Sequence, residues 1–101
     1  MIKYVIAIVV VAVVSGCESN ETRLQSFLLK GNESLATGDE QKALYYYAEA
    51  LKMDPCYADA LNNSGTIDHN HGNYEAAIAS YSKAIECNPV YLNAWFNRSK
   101  S

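Results

Sequence analysis

The chain has 101 residues, half of them apolar, and a formal net charge of −3 at neutral pH. That length holds one small domain and buries too little surface for a large enzymatic core. Positive charge is scarce and nowhere clustered, so a surface that binds nucleic acid by neutralising phosphates is excluded.

The apolar share is concentrated at the start. After Lys3 come eleven continuously apolar residues, Tyr4 to Val14, then the small residues Ser15 and Gly16, then Cys17. As a helix the run is about 16 Å long, roughly half of a ~30 Å bilayer core. Residues 1–16 therefore read as a targeting segment that is too short to span comfortably. The junction Val14-Ser15-Gly16-Cys17 resembles the lipobox of bacterial lipoproteins, with Val at a place where Leu is commoner. The resemblance implies cleavage before Cys17, acylation of Cys17 with palmitate-type chains, and a lipid membrane as one partner. Each buried methylene adds about 0.8 kcal/mol, and about two chains anchor a domain stably. Glu18 stands where enterobacterial lipoproteins kept at the inner membrane carry Asp. The resemblance thus leans to the outer membrane over the inner one, with the domain facing the periplasm of a bacterial envelope. Residues 17–23 read as lipidated N-terminus and linker, and from Cys17 onward the charge is 7 − 11 = −4.

From Ser19 the pattern turns helical. Ser19 or Asn20 is placed to cap a helix over 21–37, in which Leu24, Phe27, Leu28, Gly31 and Leu35 return at three- and four-residue spacing. Gly38-Asp39 makes a turn, and a second helix runs over 40–53 until Asp54-Pro55 stops it. The sequence then repeats itself: a helix over 58–71, a turn at Gly72-Asn73, a helix over 74–87 and a stop at Asn88-Pro89. A third copy opens at Val90 or Tyr91 with LNAWFNRSKS. Gly65, Gly72, Ala77, Tyr81, Ala84, Pro89 and Tyr91 fall on Gly31, Gly38, Ala43, Tyr47, Ala50, Pro55 and Tyr57, all 34 residues earlier without a gap.

Helix-turn-helix units of this period, with glycine in the first helix, alanines in the second and a closing proline, resemble tetratricopeptide repeats. The fold class expected is all-α: one repeat over 24–57, a second over 58–91, and a partial repeat or capping helix over 92–101. Gly31 and Gly65 are expected where the two helices of a hairpin cross, with the alanines opposite and Tyr47 and Tyr81 filling the space between hairpins. About three such units are needed for independent stability. Residues 92–101 are thus either a native cap, which buries Trp95, or a piece of a longer array, which exposes Trp95 and Phe96.

The resemblance implies a concave groove lined by the first helix of each unit. Its candidate contact residues here are Asn32, Asn62, Asn63, Thr66 and Asn97, with Asn63 and Asn97 at the place where the family uses an amide to hold a peptide backbone. The bland alternative is a row of solvated helix residues. A chaperone-type carboxylate clamp is not expected, because Leu28, Asn93 and Asn97 stand where that subtype needs lysines and an arginine. The implied role is a non-catalytic adaptor or scaffold for a protein or peptide partner. Similar lipoproteins serve in pilus or secretin assembly or organise cell-wall enzymes. The alternative role is a piece that completes an array with another chain.

Other chemistry is thin. His69 and His71 are two apart on a helix and point to different sides, so they read as a polar helix end rather than a metal site. Cys56 and Cys87 could pair in an oxidising envelope, but they occupy different repeat positions, and the preferred reading leaves Cys87 as a small core residue at the place of Met53. No phosphate loop, nucleophile elbow or carboxylate pair is present, and no metal or cofactor is expected.

Overall fold

The computed structural model describes residues 19–101; the targeting segment and Cys17 lie outside them. The described residues form five α-helices and no strand: α1 (Asn20–Ala36), α2 (Glu40–Met53), α3 (Ala58–Asn70), α4 (Tyr74–Cys87) and α5 (Leu92–Lys100). The Ser19 hydroxyl accepts from the Thr22 amide at 3.2 Å and opens α1, and the Asp39 carboxylate does the same for α2 through Lys42 at 3.1 Å. Gly38 and Gly72 take left-handed φ values of 86° and 78°, which lets α1 and α3 end and reverse within two residues. After Met53 and Cys87 the chain makes the same corner twice. Asp54 and Asn88 each accept the amide two residues on, from Cys56 and from Val90, across a proline that cannot continue the helix.

Each hairpin closes on small residues. Ala43, Ala50, Ala77 and Ala84 are fully inaccessible, and Tyr47 and Tyr81 are the largest side chains buried with them. A β-carbon added to Gly65 would lie 2.8 Å from the Tyr81 ring, and one at Gly31 would overlap the Tyr47 ring. Each tyrosine ring therefore lies against the glycine of its own hairpin, and it shares a core with the next unit, Tyr47 with Ala60 and Ile67 and Tyr81 with Ala94, as expected of side chains between hairpins.

One expectation is corrected, and one open alternative is narrowed. Cys56 and Cys87 form a disulfide, with Cα atoms 5.3 Å apart, so Cys87 is not a free core thiol. Stacking brings the loop before α3 against the end of α4, and the pairing is between unlike repeat positions for that reason. Trp95 is 44 % exposed and Phe96 64 %, so α5 does not cap the array by burying its tryptophan.

Candidate functional site

The first helices α1, α3 and α5 line up side by side, and their asparagines form a continuous polar row. Asn32 Oδ1 accepts from the Tyr47 hydroxyl at 2.6 Å and from Asn63 Nδ2 at 3.0 Å. Asn62 Nδ2 reaches Asn63 Oδ1 at 3.5 Å, and Asn62 Oδ1 accepts from Asn97 Nδ2 at 3.0 Å. Three helices from three units are thus joined by amides. Thr66, the register mate of Asn32, accepts from the Tyr81 hydroxyl at 3.0 Å and donates to the Asn62 carbonyl, so each buried tyrosine finds its partner at the same place in its unit.

The five candidate groove residues divide by accessibility. Asn62 is buried and its amide is spent within the protein, and the Thr66 hydroxyl is likewise engaged on both sides. Asn32 is exposed, and Asn63 and Asn97 are half-buried. Among the described residues, the Asn32 amino group, one side-chain N–H of Asn63 and the side-chain carbonyl of Asn97 have no partner. That leaves two donors and an acceptor along the row, groups able to pair with the carbonyls and amides of a peptide backbone. Leu29 and Phe96, both about two-thirds exposed, flank the row as apolar contacts.

At one end the row runs into a cleft of about 60 Å³ lined by Thr66, His69, Asn70, Tyr81, Asn97 and Lys100, large enough for a few waters. His69 Nδ1 lies 2.6 Å from the Ser101 hydroxyl, and the ring stands edge-on to Tyr74. His71 pairs with Glu40 of the first hairpin. The histidines thus stand at the polar end of α3, as expected, and also tie it to its neighbours on both sides. Among the described residues no group of His, Cys, Asp and Glu could hold a metal.

Tyr91 closes the opposite end by donating to Asp59. Burial, and then the Asp59 carboxylate, push the Tyr91 phenol well above its ordinary range, while burial raises that of Tyr47 against a smaller opposing effect of Asn63. Both phenols are neutral donors at physiological pH.

One sequence signal locates most of these contacts. Asn32–Asn63, Glu40–His71 and Cys56–Cys87 are each 31 residues apart, and Asp59–Tyr91 and His69–Ser101 are 32 apart. Set against the 34-residue repeat, 34 − 31 = 3, about one helical turn. A residue thus meets the neighbour lying one turn before its register mate, and a scan at that offset finds the pairs.

Residues 24–55 and 58–91 match the family model for the tetratricopeptide repeat. The chain belongs to the tetratricopeptide-repeat family. Similar proteins include Photosystem I assembly protein Ycf3 of Prochlorococcus marinus, 35 % identical over 75 residues, covering 71 % of this chain and 43 % of that one. Others are DnaJ homolog subfamily C member 7 homolog of Schizosaccharomyces pombe, 28 % identical over 69 % of this chain and 17 % of that one, and Protein O-mannosyl-transferase TMTC1 of Mus musculus, 38 % identical over 62 % and 7 %. The chain thus spans less than half the length of each of these relatives. Tetratricopeptide repeats are protein-interaction and assembly surfaces, in general without catalytic machinery of their own.

Proposed function

We propose that this tetratricopeptide-repeat chain is a lipid-anchored adaptor of the bacterial envelope. Cys17 carries the anchor, the repeats face the periplasm, and the outer membrane is favoured over the inner. The groove holds an extended or helical peptide of a protein partner, in a setting such as pilus or secretin assembly or the organisation of cell-wall enzymes. The observation that carries the reading is the row Asn32, Asn63, Asn97, whose unengaged side-chain donors and acceptor are able to pair with the carbonyls and amides of a peptide backbone. The lipobox-like junction supports the anchor, and the Cys56–Cys87 disulfide supports an oxidising compartment, of which the periplasm is one.

The two halves of the proposal are tested separately. Cys17→Ala should release the protein from the membrane fraction on carbonate washing, and its retention there would rule out anchoring through this cysteine. Affinity capture from an envelope extract tests the groove: wild type should hold a protein that Asn63→Ala and Asn97→Ala lose.

A second reading, completion of an array by another chain, is favoured by the exposure of Trp95 and Phe96. Light scattering separates the two, since a stable monomer suits the adaptor and concentration-dependent oligomers suit the second reading.

A further inference from the structure

One side of the first hairpin is basic and aromatic. On α1, Arg23, Ser26, Phe27 and Lys30 follow one another at helical spacing and line a shallow depression of about 140 Å³. On α2, Tyr46 stacks on Phe27 with ring centroids 6.5 Å apart and lies under Lys30, whose Nζ is 5.8 Å from its ring centre. Tyr45, 59 % exposed, stands edge-on to Tyr46. Arg23 and Lys30 are exposed, and among the described residues neither forms a salt bridge, although acidic residues outnumber basic ones in the chain. Two cations, a hydroxyl and aromatic rings, with no carboxylate lining them, match a phosphate diester joined to apolar chains.

Position along the chain says which phosphate diester it meets. Cys17 precedes the first residue of α1 by three, a span of at most about 10 Å, and Arg23 lies about 5 Å farther along the helix. A lipid on Cys17 therefore keeps Arg23 within about 15 Å of the bilayer surface, where basic side chains are drawn to anionic lipid. The preceding residues of the chain do not supply that negative charge, since Lys3 and Glu18 are the only charged side chains before Ser19. We propose that this side of the first hairpin docks on the anionic phospholipid headgroups of the membrane that Cys17 enters. Arg23 and Lys30 hold headgroup phosphates, the Ser26 hydroxyl donates between them, and Tyr45 and Tyr46 sit at the level where a ring has both apolar and wet neighbours. Asn32 is nine residues from Arg23, about 180° around α1, so this contact leaves the asparagine row facing away from the bilayer. The proposal rests on the anchor half of the proposed function and is independent of what the groove holds.

The test places the full lipidated chain in nanodiscs of phosphatidylcholine, with or without about a third phosphatidylglycerol, each carrying a nitroxide quencher at headgroup level. The reporter is Tyr45→Trp in a Trp95→Phe background; Trp95, the single tryptophan of the wild type, lies on α5 and serves as the control. Reporter quenching should be about twofold or more stronger in anionic discs than in neutral ones, and that of Trp95 equal in both. Arg23→Glu combined with Lys30→Glu, both at exposed positions, should remove the difference with helical circular dichroism unchanged. Raising salt from about 0.1 M to about 1 M should remove it as well. Equal quenching of the reporter in the two discs, or a difference that survives the charge reversal, would overturn the proposal. Loss of the difference on adding glycerol phosphate at constant ionic strength would overturn the bilayer as occupant and assign the site to a free phosphate ester. A chain that does not stay on the discs counts against the anchor instead. The reporter is then read with vesicles of the same two compositions, where a preference for the anionic ones, lost on charge reversal, is expected and equal quenching would overturn the docking site.

Discussion

Gly65 and Gly72 are the same residue doing different work. Gly72 has open space around it and is needed for its left-handed φ of 78°, whereas Gly65 sits in an ordinary helix under the Tyr81 ring. Replacing Gly65 with Leu overpacks the crossing and should cost about 1–3 kcal/mol. For a domain of this size each kcal/mol lowers the melting midpoint by about 4–8 °C, so a midpoint unchanged in calorimetry would contradict the packing described. Asn62 is the comparable polar case. Asn62→Ala removes the acceptor of Asn97 and the donor to Asn63 inside a buried network, and should cost about 1–2 kcal/mol in urea unfolding. Asn63→Ala, on the half-buried rim, should cost less. Equal costs for the two would deny that Asn62 is the internal link of the row. The glycine and alanine positions were legible in the sequence because the crossing tolerates only small side chains and the pattern occurs twice. The link through Asn62 was not, because an asparagine on a polar helix face looks the same whether its neighbour is water or another amide.

At the scale of elements, the junctions between units carry what the repeat pattern does not print. The disulfide pins the corner before α3 to the end of α4 and closes a loop between residues 31 apart. By loop-closure entropy its loss should cost about 3.5–4 kcal/mol, read as a fall in urea midpoint when Cys56→Ser and Cys87→Ser are combined or when reductant is added. No change in midpoint would show that the crosslink constrains nothing that unfolds. The second junction is α5, held through Tyr91 and Asp59. The folded state keeps the Tyr91 phenol neutral with a raised pKa, so this contribution is complete below the unfolded value of about 10 and is lost as pH rises beyond it. Stability should therefore fall above about pH 10, and by less in Tyr91→Phe; identical alkaline profiles would deny Tyr91 that role. Helix positions and turns followed from capping residues, glycines and prolines read locally. The junctions are not legible in a comparison of register mates, because stacking pairs residues one helical turn off register, as Cys56 with Cys87 and Glu40 with His71.

For the whole molecule, the period of 34 residues dictates parallel first helices, and these place one asparagine row across three units. The row fastens the array and, on the proposed function, also lines the groove. The sequence pointed to the residues, but it could not separate the spent amide of Asn62 from the open groups of Asn32, Asn63 and Asn97, since that depends on which helices touch. An acidic repeat surface with those groups in line is suited to holding another protein's backbone. The most direct test compares wild type with Asn63→Ala in capture from an envelope extract, with the melting midpoint of both measured alongside. The account predicts that Asn63→Ala keeps its fold, with a midpoint within a few degrees, and loses the captured protein. Full recovery of that protein by the folded variant would contradict it.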